Sequence, residues 1–332
     1  MGKTRKKICN MRNITLKQLK KQVVLKKNFN IFDCRYEKPT RADLAVGIVY
    51  FNCIKSKRLL MNYLYVVEKL KIANIPVFTL EMFEEHPEIK DAFHYKTDFI
   101  LFQKERLCFL LEKHIPKHFT KLVFMDSDLI LDNSNWYNEL SHKLDFFDVI
   151  QPFSKALWLD ITYTKIVKQR PSIVFFKKFN ILNNTFGNGG YHPGYMWGFR
   201  RQWFNNVGFF QYAVLGGGDS FSMIGFLNSH PLVFFKKYFT QLKSMHSSFH
   251  QYLLSFKNNT PRICNLDSNI FHLWHGSPTK RAYGSRWNIL KSISDIRHIL
   301  SIGSNGLFVL KYNPTLMKQI KMYFLNRQDD SL

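Results

Sequence analysis

The sequence predicts an α/β protein: an open, mostly parallel sheet flanked by helices, followed by an irregular, loop-rich C-terminal half. Three observations predict it. Apolar runs of strand length alternate with helical stripes through the first half of the chain. Those runs are apolar at consecutive positions, which marks strands buried on both faces. A composition of 45% hydrophobic and 16% aromatic residues, with 32 Phe among 332, supplies a large core and excludes disorder.

Leu44–Phe51 reads as the first buried strand, with Asn52 and Ser56 as turn and N-cap candidates. Leu59, Leu60, Tyr63, Leu64, Val66, Val67 and Leu70 then form one helical stripe. Ile75–Leu80 is a second strand, and this βαβ unit starts an open sheet through its right-handed crossover. A strand at Phe99–Phe102, a helix at Lys104–His114 and strands at Lys121–Met125 and Asp148–Phe153 continue the alternation. Residues 161–192 are Lys/Asn-rich and read as loop. Gly194–Phe199 is a short strand, Gly216–Asp219 opens a helix through Leu227, and Asn269–Trp274 is a final strand ending in histidines. The expected organisation is a basic arm, 1–40, and one domain, 41–332, divided into halves 41–155 and 156–300 with an extension 301–332.

Charge sharpens the picture. Lys and Arg number 48 against 24 Asp and Glu, a net charge of +24. Ten Lys/Arg and no carboxylate fall in residues 1–28, which suits a solvated arm or docking on an anionic membrane surface or polyanion. From Ile161 to Ser294 the only carboxylates are Asp219 and Asp267, so that half offers few acid–base candidates and suits a di- or triphosphate ligand. The five cysteines lack CxxC spacing, which argues against a disulfide framework or zinc ribbon and for a reducing compartment. With no membrane-length apolar run and no visible signal peptide, the expected location is cytoplasmic, at most peripheral to a membrane.

Three constellations carry chemistry. Asp126 and Asp128 follow the strand Lys121–Met125, at the end where open α/β sheets bind ligands. Two carboxylates there can share Mg²⁺ or Mn²⁺ and set it against a diphosphate, unless they merely form a solvated turn. Gly216, Gly217 and Gly218 strip every Cβ from a turn that presents Asp219, as general base or as helix cap. His272 and His275 stand at a strand end near Lys280, Arg281, Tyr283 and Arg286. Neutral imidazole can complete a carboxylate-held metal site, and Arg281 and Arg286 can pair with phosphate oxygens. The two histidines are expected on different faces, so that only one ligates.

Together the strand-borne Asp-x-Asp, the Gly-Gly-x-Asp turn and the downstream His resemble a GT-A-fold nucleotide-sugar glycosyltransferase. Gly217-Gly218-Asp219 can be aligned with the Gly-Gly-Glu-Asp segment of inverting galactosyl- and N-acetylgalactosaminyltransferases, with Gly218 in place of its Glu. The chain is more similar still to bacterial and large-virus glycosyltransferase-like proteins. The matching stretches are Gln103–Arg106, Met125–Asp128, Gln151–Phe153, Gly216–Ser220, His272–Gly276 with Arg281, Tyr283 and Arg286, and Asn305–Leu307.

The resemblance implies a GT-A-like, Rossmann-related sheet, with 41–155 binding the nucleotide-sugar and 156–300 serving acceptor and catalysis. It implies Asp128 as direct metal ligand, Asp126 on the ribose and metal shell, and His275 as third ligand with His272 as its substitute. Lys104 and Arg106 would reach the nucleotide or phosphates, and Asn52, Gly217, Gly218, Arg281, Arg286 and Trp197 complete the expected donor-binding set. Trp197 and Trp274 are the sugar-stacking candidates. Asp219 would deprotonate an acceptor hydroxyl for inverting transfer. The implied cofactors are Mn²⁺ (or Mg²⁺) and a UDP-sugar, for hexosyl or N-acetylhexosaminyl transfer to a glycan or glycoconjugate. The alternative is a non-catalytic basic protein on the same fold that binds nucleic acid or an anionic surface. A nucleotidyltransferase is disfavoured, because apolar strand rather than a Gly-Ser motif precedes Asp126.

Overall fold

The apolar runs do form strands buried on both faces. A computed structural model describes residues 30–178, 190–227, 243–276, 286–327 and 330. Among them the strands are β1 (Leu44–Tyr50), β2 (Val77–Phe83), β3 (Phe93–Lys96), β4 (Lys121–Met125), β5 (Leu129–Leu131), β6 (Val149–Gln151), β7 (Lys155–Leu159), β8 (Ile166–Pro171), β9 (Met196–Arg200), β10 (Ile263–Asn265), β11 (Asn269–His272), β12 (Leu300–Ile302) and β13 (Phe308–Leu310). The helices are α1 (Lys57–Ile72), α2 (Lys104–His114), α3 (Trp136–Lys143), α4 (Ile173–Lys178), α5 (Arg201–Asn206), α6 (Gly218–Phe226), α7 (His246–Leu254), α8 (Ile296–Ile299) and α9 (Pro314–Leu325).

The main sheet has the order β10-β6-β9-β4-β1-β2-β3. Every pairing is parallel except those of β9, which runs antiparallel to β4 and β6. After β1 the chain builds outward through β2 and β3, then returns to lay β4 on the other side of β1. The C-terminal ends of β1 and β4 therefore flank a topological switch point, where open α/β sheets leave a crevice for ligands. A second sheet, β5-β11-β7-β8, and a hairpin, β12-β13, complete the strands.

Alternation along β1 and β4 divides the core. Leu44, Val46, Ile48 and Tyr50 pack with Tyr63, Val66 and Leu70 of α1, while Ala45 joins Leu107 and Leu111 of α2 on the other face. Gly47 is glycine because a Cβ there would lie 2.7 Å from the Phe124 ring. Ser56 is the N-cap of α1, its Oγ accepting from the Leu59 N–H at 3.1 Å.

The structure corrects several expectations. Phe99–Phe102 is not a strand: Thr97 bonds Phe99 through its hydroxyl in a tight turn, and only Phe102 pairs, as an isolated bridge to Leu215. The edge strand is β3, whose side chains are alternately half-buried and exposed. The supposed loop 161–192 contains β8 and α4; β8 is a largely exposed edge strand, so it lacks the apolar run of a buried one. Leu64 leaves the helical stripe and is exposed. The strand at 269 stops at His272, and β12 and β13 follow it.

Candidate active site

β4 ends at Met125, and the Asp126 N–H carries its pairing with β9 one step further by donating to the Tyr195 carbonyl at 2.9 Å. Lys104, the first residue of α2, sets its Nζ 2.5 Å from Asp126 Oδ1 and 3.4 Å from Asp219 Oδ1. One ammonium thus joins the acid after β4 to the acid at the start of α6. Burial raises the Asp126 carboxyl to about 7; the charges of Asp219 and Asp128 push the same way and Lys104 opposes them. Burial disfavours the Lys104 charge, but Asp126, Asp219 and Glu105 outweigh it and hold the ammonium well above its ordinary value.

Asp128 faces the other way, into a buried cluster with His272 and His275. Its Oδ2 lies 2.8 Å from His275 Nε2 and 3.5 Å from His272 Nε2, and the two imidazole nitrogens are 3.2 Å apart. Both histidines lie beside Asp128, contrary to the expectation that they face different ways. β11 ends at His272, so strand alternation no longer governs the next residues, and the chain bends to bring His275 back beside it. One carboxylate oxygen and two imidazole nitrogens within 4.8 Å, all buried, form a donor set that fits a divalent cation. Asp126 is not part of that triad; its carboxylate is held by Lys104.

The glycine turn is compressed from several sides. Gly216 and Gly217 have φ of +88° and +87°, which glycine alone adopts without strain. A Cβ at Gly216 would lie 2.8 Å from Arg286 Nη1, and one at Gly217 2.8 Å from the Trp287 ring. The Arg286 guanidinium stacks on Trp287, 5.0 Å from its ring centre. A Cβ at Gly218 would collide with the carboxyl of Glu105, and one at Gly194 with the carboxylate of Asp219.

Several site residues escaped the sequence reading. The His192 ring stacks on Tyr195 at 3.6 Å, and Tyr195 stacks on the triad member His272 at 4.9 Å. Tyr195 holds φ at +77°, a strained value for a bulky residue and of the kind that clusters at functional sites. This segment ties the triad to Asp219, which lies against Gly194, and to Asp126. Burial, followed by the nearby His272, holds the His192 imidazole well below its ordinary value, in the neutral form. On the opposite side, Tyr163 donates to Asn62 Oδ1 at 2.5 Å, and Arg58 lies 5.3 Å over the Trp274 ring. Glu105 gives no functional signal in the sequence, because an acid in the first turn of a helix is ordinarily explained by the helix dipole.

Other expected residues are placed elsewhere. Arg106 Nε donates to the Gly306 carbonyl at 2.7 Å and Nη1 to Gln211 at 3.0 Å, so its guanidinium fastens the β12–β13 hairpin. Asn52 is buried and clamps the turn into α1, accepting from the Ser56 N–H and donating to the Ser56 carbonyl. Trp197 is buried in the core, with its Nε1 on the Pro193 carbonyl, so it presents no face to a sugar. Trp274 is half-buried beneath Arg58. Arg281, with Lys280 and Tyr283, lies outside the described residues, as does the arm through residue 29.

No family model matches the sequence, and no curated protein matches it. Among solved structures, the catalytic domain of Drosophila β1,4-galactosyltransferase 7, in complex with xylobiose, is 13% identical, with 56% of this chain and 60% of that one covered at a TM-score of 0.29. This chain thus spans less than two thirds of that domain's length. A protein provisionally named a nucleotide-diphospho-sugar transferase, from Desulfovibrio desulfuricans G20, is 11% identical, with 84% and 99% covered at a TM-score of 0.31. Superpositions this distant say nothing of substrate or mechanism, which rest on the geometry above.

Proposed function

We propose that this protein is a metal-dependent glycosyltransferase of GT-A type that moves a sugar from a nucleotide-sugar, with UDP as the default nucleotide, to an acceptor hydroxyl. The observation that carries the reading is the pairing of two devices at one switch point: the buried Asp128–His272–His275 triad, and the Lys104-linked carboxylates Asp126 and Asp219. The triad would hold Mn²⁺ or Mg²⁺, and the cation's chemistry is to neutralise the diphosphate of the leaving nucleotide. Lys104 orients Asp219 through their 3.4 Å ion pair. Asp219 then takes the proton of the acceptor hydroxyl as that oxygen bonds to the anomeric carbon. The bond from that carbon to phosphate oxygen breaks with its electron pair, giving a nucleoside diphosphate and inverted configuration. Arg286, packed against the glycine turn, would pair with phosphate oxygens of the donor.

Thermal-shift titration with UDP, GDP, CDP and their sugars, each with Mn²⁺, Mg²⁺ or EDTA, tests the reading. A ligand at about 100 times its Kd adds roughly 2.7 kcal/mol of stability. For a domain of this size that is on the order of 2–4 °C. A metal-dependent shift with one nucleotide, lost in Asp128→Asn and retained when residues 1–28 are deleted, is the expected result. Shifts with heparin or oligonucleotide alone, abolished by that deletion, would replace the enzyme with the polyanion-binding reading.

A further inference from the structure

Glu105 takes no part in the steps above, yet it lies at their centre. It is the second residue of α2, 1% exposed, and neither carboxyl oxygen has a hydrogen-bond partner among the described residues. Buried polar groups are nearly always paired, so an orphaned carboxyl calls for a reason. Its surroundings supply one. The carboxyl fills the space a side chain at Gly218 would occupy, and Gly218 is the residue before Asp219. Gly218 is not among the positive-φ glycines, so its backbone would accept alanine; the obstacle is Glu105.

We propose that Glu105 is a positioning residue for Asp219, its buried carboxyl serving as the wedge on which the Gly216–Asp219 turn is seated. The inference deepens the transferase reading, since it assigns what orients the proposed base. The wedge works in its neutral form. Burial is the main cause, the charge of Asp219 adds to it and Lys104 opposes, and the carboxyl is raised to about 8. The charged and titratable neighbours that enter this balance are Lys104 and Cys108 on α2, Asp126 after β4, Asp219 on α6 and Tyr252 on α7, while Arg286 presses on the adjoining glycines. When Glu105 ionises, a third carboxylate competes for Lys104. The ammonium is then drawn from Asp219 and Asp126, and the turn loses its seat.

The sign of the pH effect follows. A carboxyl whose value is raised on folding contributes stability that is complete below its unfolded value and lost as pH rises through its folded one. Glu105→Gln keeps shape and neutrality but cannot ionise. Its melting temperature should match the native protein at ~pH 5 and exceed it increasingly up to ~pH 8, with a constant gap beyond. A gap independent of pH would overturn the neutral carboxyl. In the second arm, Gly218→Ala lowers the melting temperature, and Glu105→Ala/Gly218→Ala recovers most of that loss because the wedge has gone. Absence of recovery would overturn the wedge. Neither arm needs transfer activity, so failure of the transferase reading stays separate. With activity in hand, the native kcat should fall above ~pH 8 while that of Glu105→Gln persists.

Discussion

The single strand β4 begins at Lys121 and is followed at its other end by Asp126, and the two ends of the sheet treat buried charge in opposite ways. At the Lys121 end every partner is supplied. Its Nζ meets Asp43 at 2.8 Å, Asp145 at 2.5 Å and the Ser141 carbonyl at 2.8 Å, while Arg41 bonds Asp145 from outside. Arg201 nearby donates to Glu112 Oε1 at 2.6 Å and to the carbonyls of Glu112, Ile115, Pro116 and Phe119. The Arg41 hydrogen bond, with Lys121 behind it, holds the Asp145 carboxyl well below its usual range. At the Asp126 end one lysine serves two carboxylates, a third has no hydrogen bond, and burial raises the Asp126 and Glu105 carboxyls. Identical residue types therefore stabilise one end and hold the other in tension, as sites built to receive a ligand do.

Breaking the satisfied end should cost most. Arg201→Ala strips a buried guanidinium from Glu112 and the carbonyls around it, and a loss of about 3–5 kcal/mol is expected in urea unfolding. A loss below 1 kcal/mol would show that the two ends do not differ. At the tense end Asp219→Asn should leave the unfolding midpoint unchanged yet lower turnover by roughly 10²–10⁴-fold with donor affinity kept. Equal loss of affinity and turnover would reduce Asp219 to a structural partner of Lys104, since the N-cap of α6 is Gly217 and no side chain caps it.

Acid sharpens the comparison further. A carboxyl depressed on folding contributes stability present above its unfolded value and lost as pH falls through the folded one. The Asp145 contribution should therefore fade below ~pH 4, and Asp145→Asn should flatten that limb of a melting-temperature profile. Profiles that coincide would mean the network is not felt in stability. The smallest effect is expected at the exposed Arg262, paired to Asp148 at 3.1 Å: Arg262→Ala should leave the melting temperature unchanged.

Much of this contrast was legible in the sequence, for physical reasons. The bounds of α2 and β4 follow from unbroken local patterns, and the structure has them at Lys104–His114 and Lys121–Met125. Asp126, Asp128, Asp219 and the two histidines stand out because acids and imidazoles are scarce beside apolar strands. What stayed hidden depends on distant packing. The burial of Glu105 is imposed by Gly218, the rotation of Arg106 by a hairpin some two hundred residues on, and the approach of His275 to His272 by a bend that strand periodicity does not describe.

The compressed glycine turn has a consequence for how the sequence can drift. Gly216 is pinned by Arg286, Gly217 by Trp287, Gly218 by Glu105, and Gly194 by Asp219. None of these glycines can gain a side chain while its partner keeps its own. Among descendants of a common ancestor, Gly216 and Gly217 should stay glycine because their φ is positive, whereas Gly218 can be lost only in a couple: an alanine at 218 alongside a shortened residue at 105, never alone. That one linked exchange would leave its covariation in the lineage.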